Sequence, residues 1–265
     1  MNRAARSRHG VAAALLAVTL TAAACAGTSA NTGARPNTSR PSEVLVSIGG
    51  VEASESAFAG GAQQLWSQIF YQRDFGTGAT FYDFSAPGAD LSQVLSQQLP
   101  SALSVKATIV TVWASLDDIL NGTEPATYES ELGQILRRLV ARHVTVLVAN
   151  TPPVELYPSY AKCFTKPASC GSNAAELPTP AEVGAIVAAY NRAITTAVRA
   201  DGGIVVDVNA LLTQAVHRGG VEAPFSQVSF GSRHRTTTYE TVLTPSGAQL
   251  VADAFAAALP KRLER

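Results

Sequence analysis

Several familiar signals are missing from this sequence of 265 residues. It has no Gly-x-Gly-x-x-Gly run, no phosphate-binding P-loop and no His/Cys/Asp/Glu grouping at metal-ligand spacing, so no cofactor or metal is expected. Excess charge of one sign is missing too: 20 Lys and Arg balance 20 Asp and Glu. No basic stripe follows a helix face, which argues against a nucleic-acid partner. There is no internal repeat. Beyond the N-terminal segment, no apolar stretch approaches the roughly 20 residues that span a bilayer. Cysteine is scarce, three in all. The chain beyond residue 42 is long enough for one sizeable domain, expected to be a monomer.

The N-terminus carries Arg3, Arg6 and Arg8, then a short apolar stretch from Val11 to Ala24, then Leu20-Thr21-Ala22-Ala23-Ala24-Cys25 at its end. A basic start, an apolar middle and small residues before a cleavage point make a signal peptide. Small residues before a single cysteine resemble the lipobox of bacterial lipoproteins. The resemblance implies cleavage before Cys25, a diacylglyceryl group on its sulfur, and residence at the outer face of the cell membrane. More than one acyl chain gives stable anchoring, where one alone is marginal. An ordinary signal peptide cut at an Ala-x-Ala site, with Cys25 incidental, is the competing account. Residues 26–42 are Ala, Gly, Thr, Ser, Asn, Pro and Arg without apolar period, so they read as a disordered tether. A flexible coil of that length spans on the order of 20–25 Å, enough to lift a domain at 43–265 clear of lipid headgroups.

Strand and helix patterns then alternate. Glu43–Ile48 is a short β-rich run, Ser56–Gln72 has helical spacing, and Thr80–Ser85 reads as a second strand. Asp90 is a candidate N-cap for a helix through Leu99 that Pro100 should end. Ala107–Trp113 is a continuous apolar strand, as expected when both faces are covered. Thr127–Arg142 is amphipathic, with Leu132, Ile135, Leu136 and Leu139 inward. Val144–Ala149 is the fourth strand. A Pro-rich loop fills 150–178, a helix 180–199, the fifth strand 203–208 and a short helix 209–217; 218–240 shows no clear period. Thr244 and Pro245 are N-cap and N1 of a last helix to Ala258. Five strands alternating with helices imply an α/β fold, a doubly wound three-layer α/β/α sandwich on a five-stranded parallel sheet. Its ligands should bind beyond the carboxyl ends of the strands. In the 150–178 loop, Cys163 and Cys170 read as a disulfide outside the cytoplasm, a closure that contributes roughly 2–3 kcal/mol in the chain-entropy model.

The segments after the strands carry a specific resemblance. Ser47-Ile-Gly-Gly-Val51, Ser85-Ala-Pro-Gly88, Val112-Trp-Ala-Ser-Leu-Asp-Asp118 and Tyr239-Glu-Thr-Val-Leu-Thr-Pro-Ser-Gly247 resemble, in order, the four blocks of the SGNH/GDSL hydrolases. That family carries Gly-Asp-Ser with a nucleophilic serine in the first block and an oxyanion-hole glycine in the second. Gly-x-Asn-Asp stands in its third block, and Asp-x-x-His before its last helix. Here Gly50 stands at the Asp position and Val51 at the Ser. Gly88 matches the glycine. Ala114 and Leu116 replace the Gly and Asn of the third block, while Asp117 matches its aspartate. Tyr239 replaces the late Asp and Val242 the His.

Valine has no nucleophilic atom, so acyl transfer through position 51 is impossible. Loss of a triad serine or histidine costs roughly a millionfold in turnover, and loss of one oxyanion donor about a hundred- to thousandfold. The resemblance therefore implies an SGNH-like fold without the family's catalysis: a pseudoenzyme whose apolar replacements could line a binding pocket. Two other readings stand beside it. One is a carboxylic-ester hydrolase using relocated groups: Ser54 and Ser56 lie close to Val51, flanked by Glu52 and Glu55, and His217 and His234 sit in or near the late loops, so Ser54 could pair with His234, or Glu52 and Asp117 could act as acid and base. The other is a structural envelope lipoprotein with a filled pocket. Arg233 and Arg235 could bind an anion, although an exposed basic loop explains them equally.

Overall fold

The computed structural model describes residues 43–54, 65–166, 177–231 and 237–260, with the backbone alone over 227–231 and 237–240. The N-terminal segment with Cys25 lies outside the described residues, as do Glu55, Ser56, Cys170, Arg233, His234 and Arg235.

Five parallel strands form the central sheet in the order β2-β1-β3-β4-β5. They are β1 (Val44–Gly49), β2 (Thr80–Asp83), β3 (Ile109–Trp113), β4 (Thr145–Ala149) and β5 (Ile204–Val206). The expected three-layer parallel α/β architecture is therefore what forms. β3 is buried along its whole length, because helices cover both faces and no strand position meets water. Alternate residues of β1 enter opposite cores. Val46 and Ile48 join Val110, Leu132, Leu136 and Ile194 on one face. Leu45 joins Trp66, Phe70, Leu147, Val251 and Phe255 on the other.

Helices α6 (Pro125–Val140) and α8 (Pro180–Asp201) cover the first face; α2 (Trp66–Asp74), α9 (Val208–Gly219) and α10 (Pro245–Ala258) cover the second. In α6 the residues expected to face inward, Leu132, Ile135, Leu136 and Leu139, are all fully buried. Asp90 caps α3 (Leu91–Gln93) through a reciprocal bond with Gln93, and Thr244 caps α10 by accepting from Gly247 N at 3.0 Å. Between Gly49 and Trp66 a single turn, α1 (Val51–Ser54), leaves the sheet; the expected long helix from Ser56 is described only from Trp66 onward.

Three expectations are corrected. Pro100 does not end its helix. A π-helical turn over Val94–Gln98 follows α3 and leads into α4 (Leu99–Ser104), with Pro100 in its first turn. The widened π turn shifts the hydrogen-bond register just before the proline, which makes room for its ring and missing N–H inside the helical run. The loop after β4 carries a 3₁₀ turn (Val154–Leu156) and α7 (Pro158–Thr165). Residues 218–240, without visible period, contribute an antiparallel hairpin of β6 (Phe225–Gly231) and β7 (Thr237–Leu243).

In the order β2-β1-β3, the chain crosses from one side of β1 to the other. That reversal opens a crevice beyond the carboxyl ends of β1 and β3. Gly50, Val51 and the 114–118 segment sit at its mouth. The short α5 (Leu116–Leu120) starts there.

Candidate functional site

The crevice is built on a glycine that no other residue could replace. A Cβ on Gly49 would lie 2.0 Å from Trp113 O, and its φ is +149°. The close approach lets Gly50 N donate to Trp113 O at 3.1 Å, locking the first segment to the third. The buried Gln98 amide clamps the same glycine from the π turn. Gly49 N donates to Gln98 Oε1 at 2.7 Å and Gln98 Nε2 donates to Gly49 O at 3.0 Å. Nothing in the sequence pattern singled out Gln98, because its partner is a backbone 49 residues away.

Val51 stands where the resemblance places the nucleophile. Its backbone N–H donates to Asp117 Oδ2 at 3.0 Å. Thus a carboxylate of the chain itself sits on the Val51 backbone donor. Gly88, whose N–H is the donor expected to face an oxyanion, lies in the turn after β2 with φ +79°. Burial raises the Asp117 pKa, and the bond from Val51 opposes the rise.

Glu52, the next residue, is 1% exposed. Its Oε1 accepts from Ser115 N at 3.0 Å, Ser115 Oγ at 2.8 Å and Leu116 N at 2.7 Å. These are the orphan donors at the start of α5, so the side chain caps that helix from another part of the chain. Glu52 Oε2 is buried without a hydrogen-bond partner among the described residues. Burial is the main reason its pKa rises to about 7, with the Asp117 charge adding to it. Leu116, at the asparagine position, packs at the edge of the second core. It presents no donor, and its own N–H is spent on Glu52.

The two carboxyl groups weighed as an acid–base pair, Glu52 and Asp117, are brought together here. They face one point: a Cβ on Gly50 would lie 2.5 Å from Asp117 Oδ2, 2.7 Å from Ala89 O and 3.4 Å from Glu52 Oε2. Both are turned inward onto backbone N–H groups. Asp118, next in sequence, is buried and accepts from Leu91 N at 2.9 Å. Burial lifts its pKa to about 6. Tyr128 closes the floor beneath, its hydroxyl donating to Ala114 O.

In the last segment, valine stands where the resemblance places the base. Val242 lies within β7, pairs with Ser226 and is 4% exposed. Tyr239 pairs with Ser229 on the same hairpin. Of the relocated candidates, Ser54 turns its hydroxyl to Gly50 O at 3.0 Å and Val51 O at 3.3 Å. His217 is exposed in the last turn of α9. Cys163 lies on α7, and its expected partner Cys170 is outside the described residues. Among the described residues, no three His, Cys, Asp or Glu side chains are grouped to hold a metal.

The model of the GDSL-like lipase/acylhydrolase family matches residues 50–223. A member of the lipolytic protein G-D-S-L family from Veillonella parvula superposes with a TM-score of 0.56 at 13% identity, covering 84% of this chain and 100% of that one. An acetyl xylan esterase superposes at 0.56 with 11% identity, covering 82% of this chain and 100% of that one. TesA gives 0.53 at 16%, covering 82% and 98%. At such identities the likeness speaks for the fold alone. No curated protein matches.

Proposed function

The chain belongs to the GDSL-like lipase/acylhydrolase family, and we propose that it is a non-hydrolysing member: an exported, lipid-anchored protein that binds a ligand or partner at the bacterial cell envelope. One observation carries the reading. The backbone donor of Val51 is already bonded to Asp117, so a developing oxyanion would find it occupied by a carboxylate. Electrostatic stabilisation by aligned N–H groups is usually the largest single contribution to acyl transfer, and an internal anion on that donor opposes it. Val51, Leu116 and Val242 supply no nucleophile, amide donor or base, and Ser54 is bonded to backbone carbonyls.

Export and anchoring rest on Cys25 and the segment before it. A Cys163–Cys170 bridge suits the oxidising side of the membrane. No helix among the described residues is long and apolar enough to cross a membrane. A hydrolase using relocated groups is the alternative, and labelling separates the two. The full chain, purified in detergent, is treated with a fluorophosphonate probe that marks activated serines. No labelling is expected, in the parent or in Val51→Ser, because a serine at 51 would still lack base and oxyanion donors. A labelled serine in the parent would support the hydrolase reading and locate its nucleophile.

A further inference from the structure

A groove of about 670 Å³ runs along α8, away from the crevice and beyond the carboxyl ends of β4 and β5. Arg192, Arg199, Asn191, Asn209, Thr195 and Glu155 supply its polar lining. Its floor is already ordered. Thr151 N donates to Asn191 Oδ1 at 2.7 Å, and the side-chain amides of Asn191 and Asn209 both donate to Thr151 O, at 3.3 and 2.9 Å. Asn209 N donates to Asn150 Oδ1 at 2.9 Å, and Asn150 Nδ2 donates to Asp207 Oδ1 at 2.8 Å. A primary amide has two N–H donors and a two-lone-pair oxygen. Asn191 and Asn209 therefore each keep an N–H to offer, and Asn209 keeps its carbonyl, among the described residues.

The charges are unspent as well. Arg192 and Arg199 are exposed and have no acidic partner among the described residues. Seven residues separate them on one helix, about 10 Å at 1.5 Å per residue. Glu155 Oε2 is shielded from water and has no hydrogen-bond partner among the described residues. Different ligand classes satisfy these groups unequally. A bare anion would suit the guanidiniums and be repelled by Glu155. A neutral sugar would suit the amides but leave both arginines unmatched. Hydroxyl groups donate and accept, and an added acidic group forks onto a guanidinium.

We propose that the α8 groove binds an acidic carbohydrate, a short sugar chain bearing carboxylate or phosphate groups. Arg192 and Arg199 would hold the acidic groups, and Asn191 and Asn209 the hydroxyls. The site shares no residue with the crevice and does not depend on whether the crevice hydrolyses esters.

Calorimetric titration of the full chain in detergent tests the assignment. The probes are trigalacturonate for carboxylate and a phosphorylated mannan pentasaccharide for phosphate, with neutral xylohexaose and inorganic phosphate alongside. At least one acidic oligosaccharide should saturate one site, more tightly than either control, and the better of the two identifies the acidic group. Arg192→Ala and Arg199→Ala should each weaken that binding about tenfold or more, the size of a lost charge-assisted hydrogen bond. Both side chains are exposed and unpaired among the described residues, so melting temperatures should match the parent. The proposal is overturned if neither acidic oligosaccharide binds at millimolar concentration. It is equally overturned if inorganic phosphate or xylohexaose binds as tightly, or if the doubly substituted protein binds like the parent.

Discussion

A side chain at position 50 would push into Asp117 Oδ2, Ala89 O and Glu52 Oε2 at 2.5, 2.7 and 3.4 Å. The resemblance places the family's aspartate at this position, yet the space it would need is taken. Restoring it by Gly50→Asp therefore adds a steric collision with a backbone oxygen and a third carboxylate beside two others. The substitution should cost about 2–3 kcal/mol from overpacking, roughly 5–10 °C in Tm for a domain of this size. Gly50→Ala separates the two effects, since it keeps the collision and omits the charge. Thermal melting with no loss in Gly50→Asp would mean that the crevice is looser than these distances require. The sequence exposed the replaced letters at 50, 51, 116 and 242, because each is a single readable position. It did not expose what took their place. Glu52 reaches Ser115 and Leu116, more than sixty residues away, and such a pairing exists only once β1 and β3 lie side by side.

At the scale of elements, the parts with strong local signals were legible. Continuous apolar runs placed β3 and β4, and the leucine spacing placed α6. Thr244-Pro245 placed the start of α10 to the residue. Thr244 Oγ1 accepts from Gly247 N at 3.0 Å and donates to Ala223 O at 2.7 Å. Thr244→Ala should therefore cost about 1–2 kcal/mol, measurable by denaturant midpoint, while Thr244→Ser should retain most of it. An alanine variant as stable as the parent would show that Ser246, which also reaches Ala223 O at 2.7 Å, replaces the lost bond. The illegible parts have physical reasons. Pro100 is tolerated because the π turn before it shifts the hydrogen-bond register. The β6–β7 hairpin lacks strict apolar alternation. Its apolar residues fall at 225, 228 and 230 on one strand and at 239, 242 and 243 on the other, so the spacing is not two throughout. Trp66 gave a helix signal but not its role. Its ring stacks on Phe255 at 4.3 Å, and its Nε1 donates to Glu52 O at 3.1 Å, tying the second face of the sheet to the crevice.

Over the whole molecule, the buried carboxyls give stability a distinctive pH dependence. Glu52 is raised from 4.5 to about 7 and Asp118 from 3.8 to about 6, with Asp117 shifted the same way, all by burial first. Between the unfolded and folded pKa values the native state holds more protons than the unfolded chain. Stability must therefore fall as pH rises through that window. For the fully buried Glu52 the shift corresponds to about 3 kcal/mol, present near pH 4.5 and lost by about pH 7. Tm should rise as pH is lowered from about 7.5 to about 5, and Glu52→Gln should remove most of that slope. A parent whose Tm falls over the same interval, or a Glu52→Gln protein with an unchanged slope, would show that Glu52 is not held as described.

The most direct measurement is steady-state hydrolysis of short-chain aryl esters by the full chain, compared with the same protein carrying Ser54→Ala. Ser54 is the described serine nearest Val51 on the helical side of the crevice, so it is the first relocated nucleophile to remove. If the crevice is closed on its own carboxylates, the parent gives no turnover above the uncatalysed rate, and Ser54→Ala changes nothing. Saturable turnover by the parent would contradict the account. Loss of that turnover in Ser54→Ala would identify the serine responsible, and its persistence would place the nucleophile elsewhere in the chain.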